Sequence, residues 1–321
     1  MDPIDLFLLT GFLGSGKTSL LVRYLCQNEN AGDTAVIVNE AGEINIDGAI
    51  IKSDASPLQM AMLSNGCVCC TSAGELSVTV EELILARAEL GLAPLRRIIV
   101  EASGLSRPGA MLRQIGTLAG YPLRTRVVST WDCARSDALL EFDEAQAQVA
   151  GANLIILTKQ DLVGPGMTDR ARHLVRSLNP FATIIDESSP DDGVCRAFAD
   201  VVEPHDHSAA IKADGAAHPH PRTLVWSHRL DRKLDWDDMA EWLDNLAGFA
   251  GDRLLRVKGL VPVIGRDDLV LIQGVGTTFS APRLLVTNAE PFLVVIARDM
   301  TASDIEYVPP LLASLDGAVC C

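Results

Sequence analysis

The chain has 321 residues, of which 48% are hydrophobic, with a formal net charge of −15 and a pI near 4.8. That length exceeds one average domain and suggests two, with ample apolar material for buried cores. So acidic a chain would be repelled by nucleic acid and by anionic membrane surfaces, which excludes general binders of either.

No apolar run reaches the roughly 18–20 residues that a membrane span needs. The opening "MDPIDLFLLTGFLGSGKTS" has neither a basic start nor a small-residue cleavage site and reads as a first strand. The expected compartment is the cytoplasm, where thiols stay reduced and cysteine clusters mean metal or catalysis. In chain order, "LFLLT", "TAVIV", "RRIIVEAS", "RVVSTWD" and "NLIILT" read as buried strands. Between and after them, "TSLLVRYLCQNE", "GELSVTVEELILARAELG", "RPGAMLRQIGTLAG", "SDALLEFDEAQAQVAG" and "MTDRARHLVRSLNP" read as helices. This alternation predicts an α/β domain over residues 1–203 with a mostly parallel sheet covered on its faces. Residues 204–221, rich in His, Pro and Ala and poor in large apolar residues, read as a linker. Residues 222–321 then predict a smaller α+β domain: strand "TLVWSHRL", helix "DWDDMAEWLDNLAG", and strands in "RLLRVKGLVPVIG", "DLVLIQGVGTTF", "PRLLVTN" and "FLVVIA".

The strongest motif is "GFLGSGKTS", Gly11 to Ser19, which matches G-x-x-x-x-G-K-[ST] between a strand and a helix and predicts a P-loop NTPase. Gly11, Gly14 and Gly16 let the backbone around Ser15 wrap a polyphosphate, with its N–H groups pointing inward. The helix start adds positive potential, Lys17 reaches the β- and γ-phosphates, and Thr18 ligates magnesium, with Ser19 the next hydroxyl. In "LTKQDLV", Asp161 can accept both N1–H and the 2-amino group of guanine, a donor pair adenine lacks, so the nucleotide is read as GTP. Lys159 would lie along the base, and Thr158 stands where GTPases more often carry Asn. Between these motifs, "RRIIVEASGLSRPG" ends a buried strand in Glu101, a second magnesium-side residue, and Gly104, a γ-phosphate sensor. Ser103 and Ser106 are open between helix-capping hydroxyls ahead of Pro108 and a catalytic role. Lys17, Thr18 and Glu101 are the catalytic candidates, acting by positioning and charge neutralisation, since no catalytic base is evident. The polar loop "VNEAGEINID", with Glu40, Glu43 and Asp47, is a candidate nucleotide-responsive segment.

"SNGCVCC" puts Cys67, Cys69 and Cys70 within four residues, after the flexible Gly66. Thiolates are soft ligands that favour zinc, copper(I) and iron, and three can converge from one tight turn. The fourth position is left for water, a carboxylate such as Glu43, or a partner. A disulfide between such close neighbours would be strained, and no base for a nucleophile lies nearby. Cys26, Cys133 and Cys195 read as inert core thiols. His205, His207, His218 and His220 are open between metal scavenging and mere spacer. Cys320 and Cys321 are open between a frayed tail and an auxiliary metal contact.

Taken in order, "GFLGSGKTS", "VNEAGEINID", "NGCVCC", "VEASGLSRP", "LTKQDL", "RLLRVKGLV" and "LIQGVG" resemble the landmarks of the CobW-type GTPases, relatives of the nickel-insertion GTPases for urease and hydrogenase. The resemblance implies GTP hydrolysis and binding of a transition metal for delivery to a client protein. Zinc is the first choice of metal, with cobalt, iron or nickel as alternatives. It carries the phosphate loop onto Gly14, Gly16, Lys17 and Thr18, the metal motif onto Cys67, Cys69 and Cys70, and the base motif onto Thr158, Lys159 and Asp161, followed by Glu43 and Glu101. The chain departs from the pattern at Ala41, Val38 and Arg107. A client is the expected partner, nucleic acid and membrane are not, and a homodimer stays open. Two rivals remain: a metal-buffering or structural-zinc protein that binds GTP without delivering metal, and a P-loop small-molecule kinase.

Overall fold

The computed structural model describes residues 2–27, 31–38, 59–62, 75–187, 193–199 and 222–310. Apolar runs form the strands of the first sheet. β1 (Ile4–Gly11) is buried along its whole length and occupies the centre. Around it stand β2 (Thr34–Val38), β3 (Gln59–Met62), β4 (Arg97–Glu101), β5 (Leu123–Asp132), β6 (Leu154–Thr158) and β7 (Thr183–Asp186). Their order is β3-β2-β4-β1-β5-β6-β7, and every described pairing is parallel. From β1 the chain runs to β2 and β3 on one side, returns to β4 beside β1, and then crosses to β5 on the other side, so the connections reverse at β4 and β1, where such sheets open a crevice at their carboxyl ends. Register brings the motif ends level there: Leu9 and Val38 both pair with Glu101, Gly11 pairs with Thr130, and Asp132 pairs with Thr158.

The helices of this sheet are α1 (Lys17–Gln27), α2 (Glu75–Glu89), α3 (Pro108–Gly116), α4 (Ser136–Leu139), α5 (Asp143–Gly151), α6 (Pro165–Leu178) and α7 (Gly193–Ala197). Leu20, Leu21 and Tyr24 of α1, with Val194, Ala197 and Phe198, pack on Phe7, Leu9, Val36, Ile99 and Ile156 of one sheet face. Side chains of this size each contribute about 1.5–3 kcal/mol when fully buried. The single helix expected over residues 136–151 is two helices, because Phe142 is extended at φ −100°, ψ 120° and restarts the chain as the N-cap of α5. Strands β3 and β7 went unforeseen. Each has four residues, too short to stand out as an apolar run.

Beyond the first sheet, β8 (Thr223–Arg229), β9 (Leu254–Pro262), β10 (Leu269–Val275), β11 (Thr278–Phe279), β12 (Arg283–Leu285) and β13 (Phe292–Arg298) form an antiparallel sheet ordered β11-β10-β9-β13-β8, with β12 beside β10. One face packs under α8 (Trp236–Ala250), whose Met239, Trp242 and Leu246 meet Val257, Val261, Leu293 and Val295. The Asp235 side chain caps α8 by accepting from two backbone N–H groups, and Thr301 with Asp304 forms a capping box on α9 (Ala302–Glu306). This is the α/β-plus-α+β architecture expected. The described residues divide into two compact units: those up to Arg172 and from Ala182 to 199, and those from His173 to Phe181 and from Arg222 on. Within the second, Phe181 stacks on Phe292 with centroids 6.1 Å apart, and Lys258 Nζ lies 5.0 Å above the Phe181 ring. Residues 204–221, with their four histidines, and Cys320 and Cys321 lie outside the described residues.

Candidate nucleotide site

The phosphate loop turns at Gly11, Gly14 and Gly16, with φ of 142°, 69° and 94°, where a side chain would be strained. At Gly11 a Cβ would also stand 2.1 Å from Thr130 Oγ1, so β5 closes on the loop from behind. Ser15 is buried and shares a 2.7 Å hydrogen bond with the Thr130 hydroxyl. The first turn of α1 contains no acidic residue of its own, so the helix start adds positive potential at the loop. Lys17 Nζ donates back to Gly11 O at 2.9 Å and Phe12 O at 3.4 Å, which holds the ammonium over the loop. Ser19 is exposed and takes no part in these bonds.

Thr18 Oγ1 donates to Glu101 Oε1 at 2.6 Å, joining two sequence-predicted residues 83 positions apart. Glu101 is fully buried at the end of β4. A hydroxyl and a carboxylate so placed are hard oxygen donors, the type magnesium takes, and they fit that ion. Gly104 follows, pressed against the phosphate loop: a Cβ there would lie 2.7 Å from Leu13 N and 2.8 Å from Leu13 Cα. Its carbonyl and that of Ser106 each accept from Gln148 Nε2 at 3.0 Å, so α5 pins this segment from outside. The capping reading of Ser106 is corrected. The N-cap of α3 is Arg107, and the buried Ser106 hydroxyl has no hydrogen-bond partner among the described residues. Arg107, a departure from the family pattern, reaches Glu144 on α5 at 3.3 Å.

The base-side residues lie at the same sheet edge. Thr158 Oγ1 donates to Ser15 O at 2.8 Å and Trp131 O at 3.1 Å, so the residue in place of the usual Asn is a direct tie to the phosphate loop. Lys159 is left-handed at φ 56°, a conformation a lysine rarely adopts. Its N–H donates to Glu187 Oε2 at 3.3 Å, and its Nζ donates to Asp132 Oδ2 at 2.7 Å. Asp161 is exposed in the turn that follows, open to a ligand. Asp132 is buried, and Arg135 Nε donates to its Oδ2 at 2.9 Å while Ala134 N donates to its Oδ1. Burial alone would raise the Asp132 carboxyl. The bonds from Lys159 and Arg135, with the lysine charge, outweigh it and hold the group below its ordinary value. Thr130, Asp132, Arg135, Gln148 and Glu187 escaped the sequence reading. The one signal for Asp132 was a carboxylate ending the apolar run "RVVSTWD".

Cys67, Cys69, Cys70, Glu40, Glu43, Asp47 and Ala41 lie outside the described residues. Among the described residues no cluster of three His, Cys, Asp or Glu could hold a metal. Cys133 is buried, as expected of a core thiol, and burial followed by the Asp132 charge pushes it up to about 11. Cys26 and Cys195 are exposed, correcting their reading as core fillers. Among the described residues no helix is long and apolar enough to cross a membrane.

Residues 5–186 match the family profile described as CobW/HypB/UreG, nucleotide-binding domain, and residues 225–307 match the Cobalamin synthesis protein cobW C-terminal domain. The zinc chaperone YjiA of Escherichia coli strain K12 is 30% identical over 295 residues, covering 88% of this chain and 89% of that protein. The zinc chaperone CobW of Pseudomonas aeruginosa is 28% identical over 323 residues, covering 87% of this chain and 82% of that protein. The crystal structure of Zn(II)-bound YjiA GTPase from E. coli superposes with a TM-score of 0.68 at 25% identity, covering 95% of this chain and 97% of that one.

Proposed function

The chain belongs to the CobW/HypB/UreG family, and we propose that it is a GTP-hydrolysing metal chaperone that binds zinc through Cys67, Cys69 and Cys70 and passes it to a client protein. The observation that carries this reading is the convergence of Lys17, the Thr18–Glu101 pair at 2.6 Å and the Thr158–Asp161 turn on one sheet edge. The zinc chaperones among its relatives support the choice of cargo.

In this reading the loop N–H groups and Lys17 bind the β- and γ-phosphates, and Asp161 accepts from guanine while Lys159 lies along the base. Thr18 and Glu101 would hold magnesium, which would supply neutralising charge to the phosphates when bound. Gly104, flush with Leu13, gives the segment after β4 its contact with the phosphate loop. Hydrolysis then rests on orientation and fixed charge, suited to slow, regulated turnover. Three thiolates with a fourth position for Glu43, water or the client form an incomplete shell suited to transfer. Residues 39–47 and the cysteines fall between β2 and α2 in sequence, so nucleotide and metal states are coupled through that stretch.

The experiment is to measure phosphate release and bound zinc for the wild type and for a Cys67→Ala, Cys69→Ala, Cys70→Ala variant. The expected result is loss of zinc with a folded GTPase retained. Zinc retained by the variant, or loss of folding with the metal, overturns the delivery site in favour of no site or a structural one. Label recovered on a small-molecule acceptor instead of free phosphate would make the protein a kinase.

A further inference from the structure

Among the described residues, a direct tie from the base-side turn to the phosphate loop runs from Thr158 to Ser15 O. An indirect route joins them too: Lys159 Nζ and Arg135 Nε both donate to Asp132 Oδ2, and Arg135 Nη2 donates to Leu13 O at 2.6 Å. Asp132 is buried at the end of β5, while the Lys159 and Arg135 side chains are 34% and 44% exposed, so two surface cations converge on one buried carboxylate. Arg135 Nη2 also lies 3.4 Å from where a Cβ on Gly14 would stand, so the guanidinium lies against the Leu13–Gly14 stretch of the phosphate loop. Its side chain is 44% exposed, which marks it as a surface arm reaching inward rather than part of the core.

We propose that Arg135 is a positioning residue for GTP hydrolysis: through Asp132 it links the guanine-side Lys159 to the Leu13 backbone, so that recognition of the base sets the placement of the loop against the phosphates. The inference rests on the GTPase reading. The guanidinium presents Nε–H to the carboxylate and Nη2–H to the carbonyl from one rigid planar fork, a pair of directions that the single nitrogen of a lysine ammonium does not reproduce. Binding of the correct base holds Lys159 on Asp132 and leaves Arg135 to fix Leu13. A base that misses Asp161 loosens the same chain.

The test is steady-state turnover of GTP and of ITP, which lacks the 2-amino group, by wild type, R135Q and R135K, with K17A as the control for the reading itself. Wild type is expected to turn over GTP with the higher kcat. R135Q should lose about 10- to 100-fold in kcat for GTP, the scale of a phosphate-contacting backbone shifted by up to an ångström. Its KM should move less than about threefold, its kcat advantage of GTP over ITP should shrink toward one, and R135K should not rescue it. A kcat for R135Q within about twofold of wild type, a loss wholly in KM, or full rescue by R135K overturns the proposal. So does an equal loss for both nucleotides with a parallel fall in melting temperature, which would make Arg135 merely structural. Wild type no faster than K17A overturns the GTPase reading and this inference with it, an outcome seen in the parent protein rather than in the variant.

Discussion

Replacing Gly104 with alanine adds one methyl group at the closest approach between the segment after β4 and the phosphate loop. The added Cβ would stand 2.6 Å from Leu13 Cδ2, 2.7 Å from Leu13 N and 2.8 Å from Leu13 Cα, about 0.6–0.8 Å inside ordinary contact. The side-chain methyl can rotate away, but the two backbone atoms belong to a loop fixed by Lys17, Ser15 and Arg135. Relief therefore moves the Gly104 segment, which Gln148 pins from the other side. Overpacking of this kind costs about 1–3 kcal/mol. Expressed in binding, that is a weakening of about 5- to 150-fold. Titration of a fluorescent GTP analogue and thermal unfolding of the nucleotide-free protein would read it, and the G104A variant should lose affinity, melting temperature or both. Affinity and melting temperature both equal to wild type would refute the seating of Gly104 against Leu13.

Thr158→Val keeps the shape but removes the hydroxyl donor shared by Ser15 O and Trp131 O, and is expected to cost about 1–3 kcal/mol, read as a lowered melting temperature. The Asp132 carboxyl sits below its unfolded value of about 3.9. Its contribution to stability is therefore full above that pH and is lost as pH falls through the folded value; urea unfolding from pH 6 downward should show a smaller acid loss in D132N than in wild type. At pH 8, mass-mapped alkylation should label the exposed Cys26 and Cys195 but spare Cys133, which is buried and shifted to about 11, until the protein is denatured. Glu101→Gln removes a charged oxygen from the Thr18 pair and should raise the magnesium needed for half-maximal turnover by about tenfold or more.

The parallel sheet was legible because buried parallel strands read as unbroken apolar runs, and "LFLLT" and "NLIILT" sit in β1 and β6 where that rule puts them. The phosphate loop was legible because its physics demands glycines and one lysine at fixed spacing. The Asp132–Arg135–Lys159 network was not, since it closes between positions 13, 132, 135 and 159 and no local pattern marks such a contact. Ser106 was open between a cap and a catalytic hydroxyl: a serine before Pro108 has the composition of a cap, yet the N-cap falls one residue later, at Arg107, and the helix begins at Pro108. In "RLLRVKGLV", Arg256 and Lys258 have the alternation of a solvated face, but both are buried, on the side opposite Val257 and Val261. Burial lowers Arg256 to about 10.

The central claim is that nucleotide state governs zinc held by Cys67, Cys69 and Cys70. Zinc affinity measured by competition with a chromogenic chelator, with GDP, with a non-hydrolysable GTP analogue and with no nucleotide, tests it most directly. The account predicts affinities that differ between the GDP and GTP-analogue states by about 5- to 150-fold, the range of ordinary coupling between sites. One affinity common to all three states would contradict it.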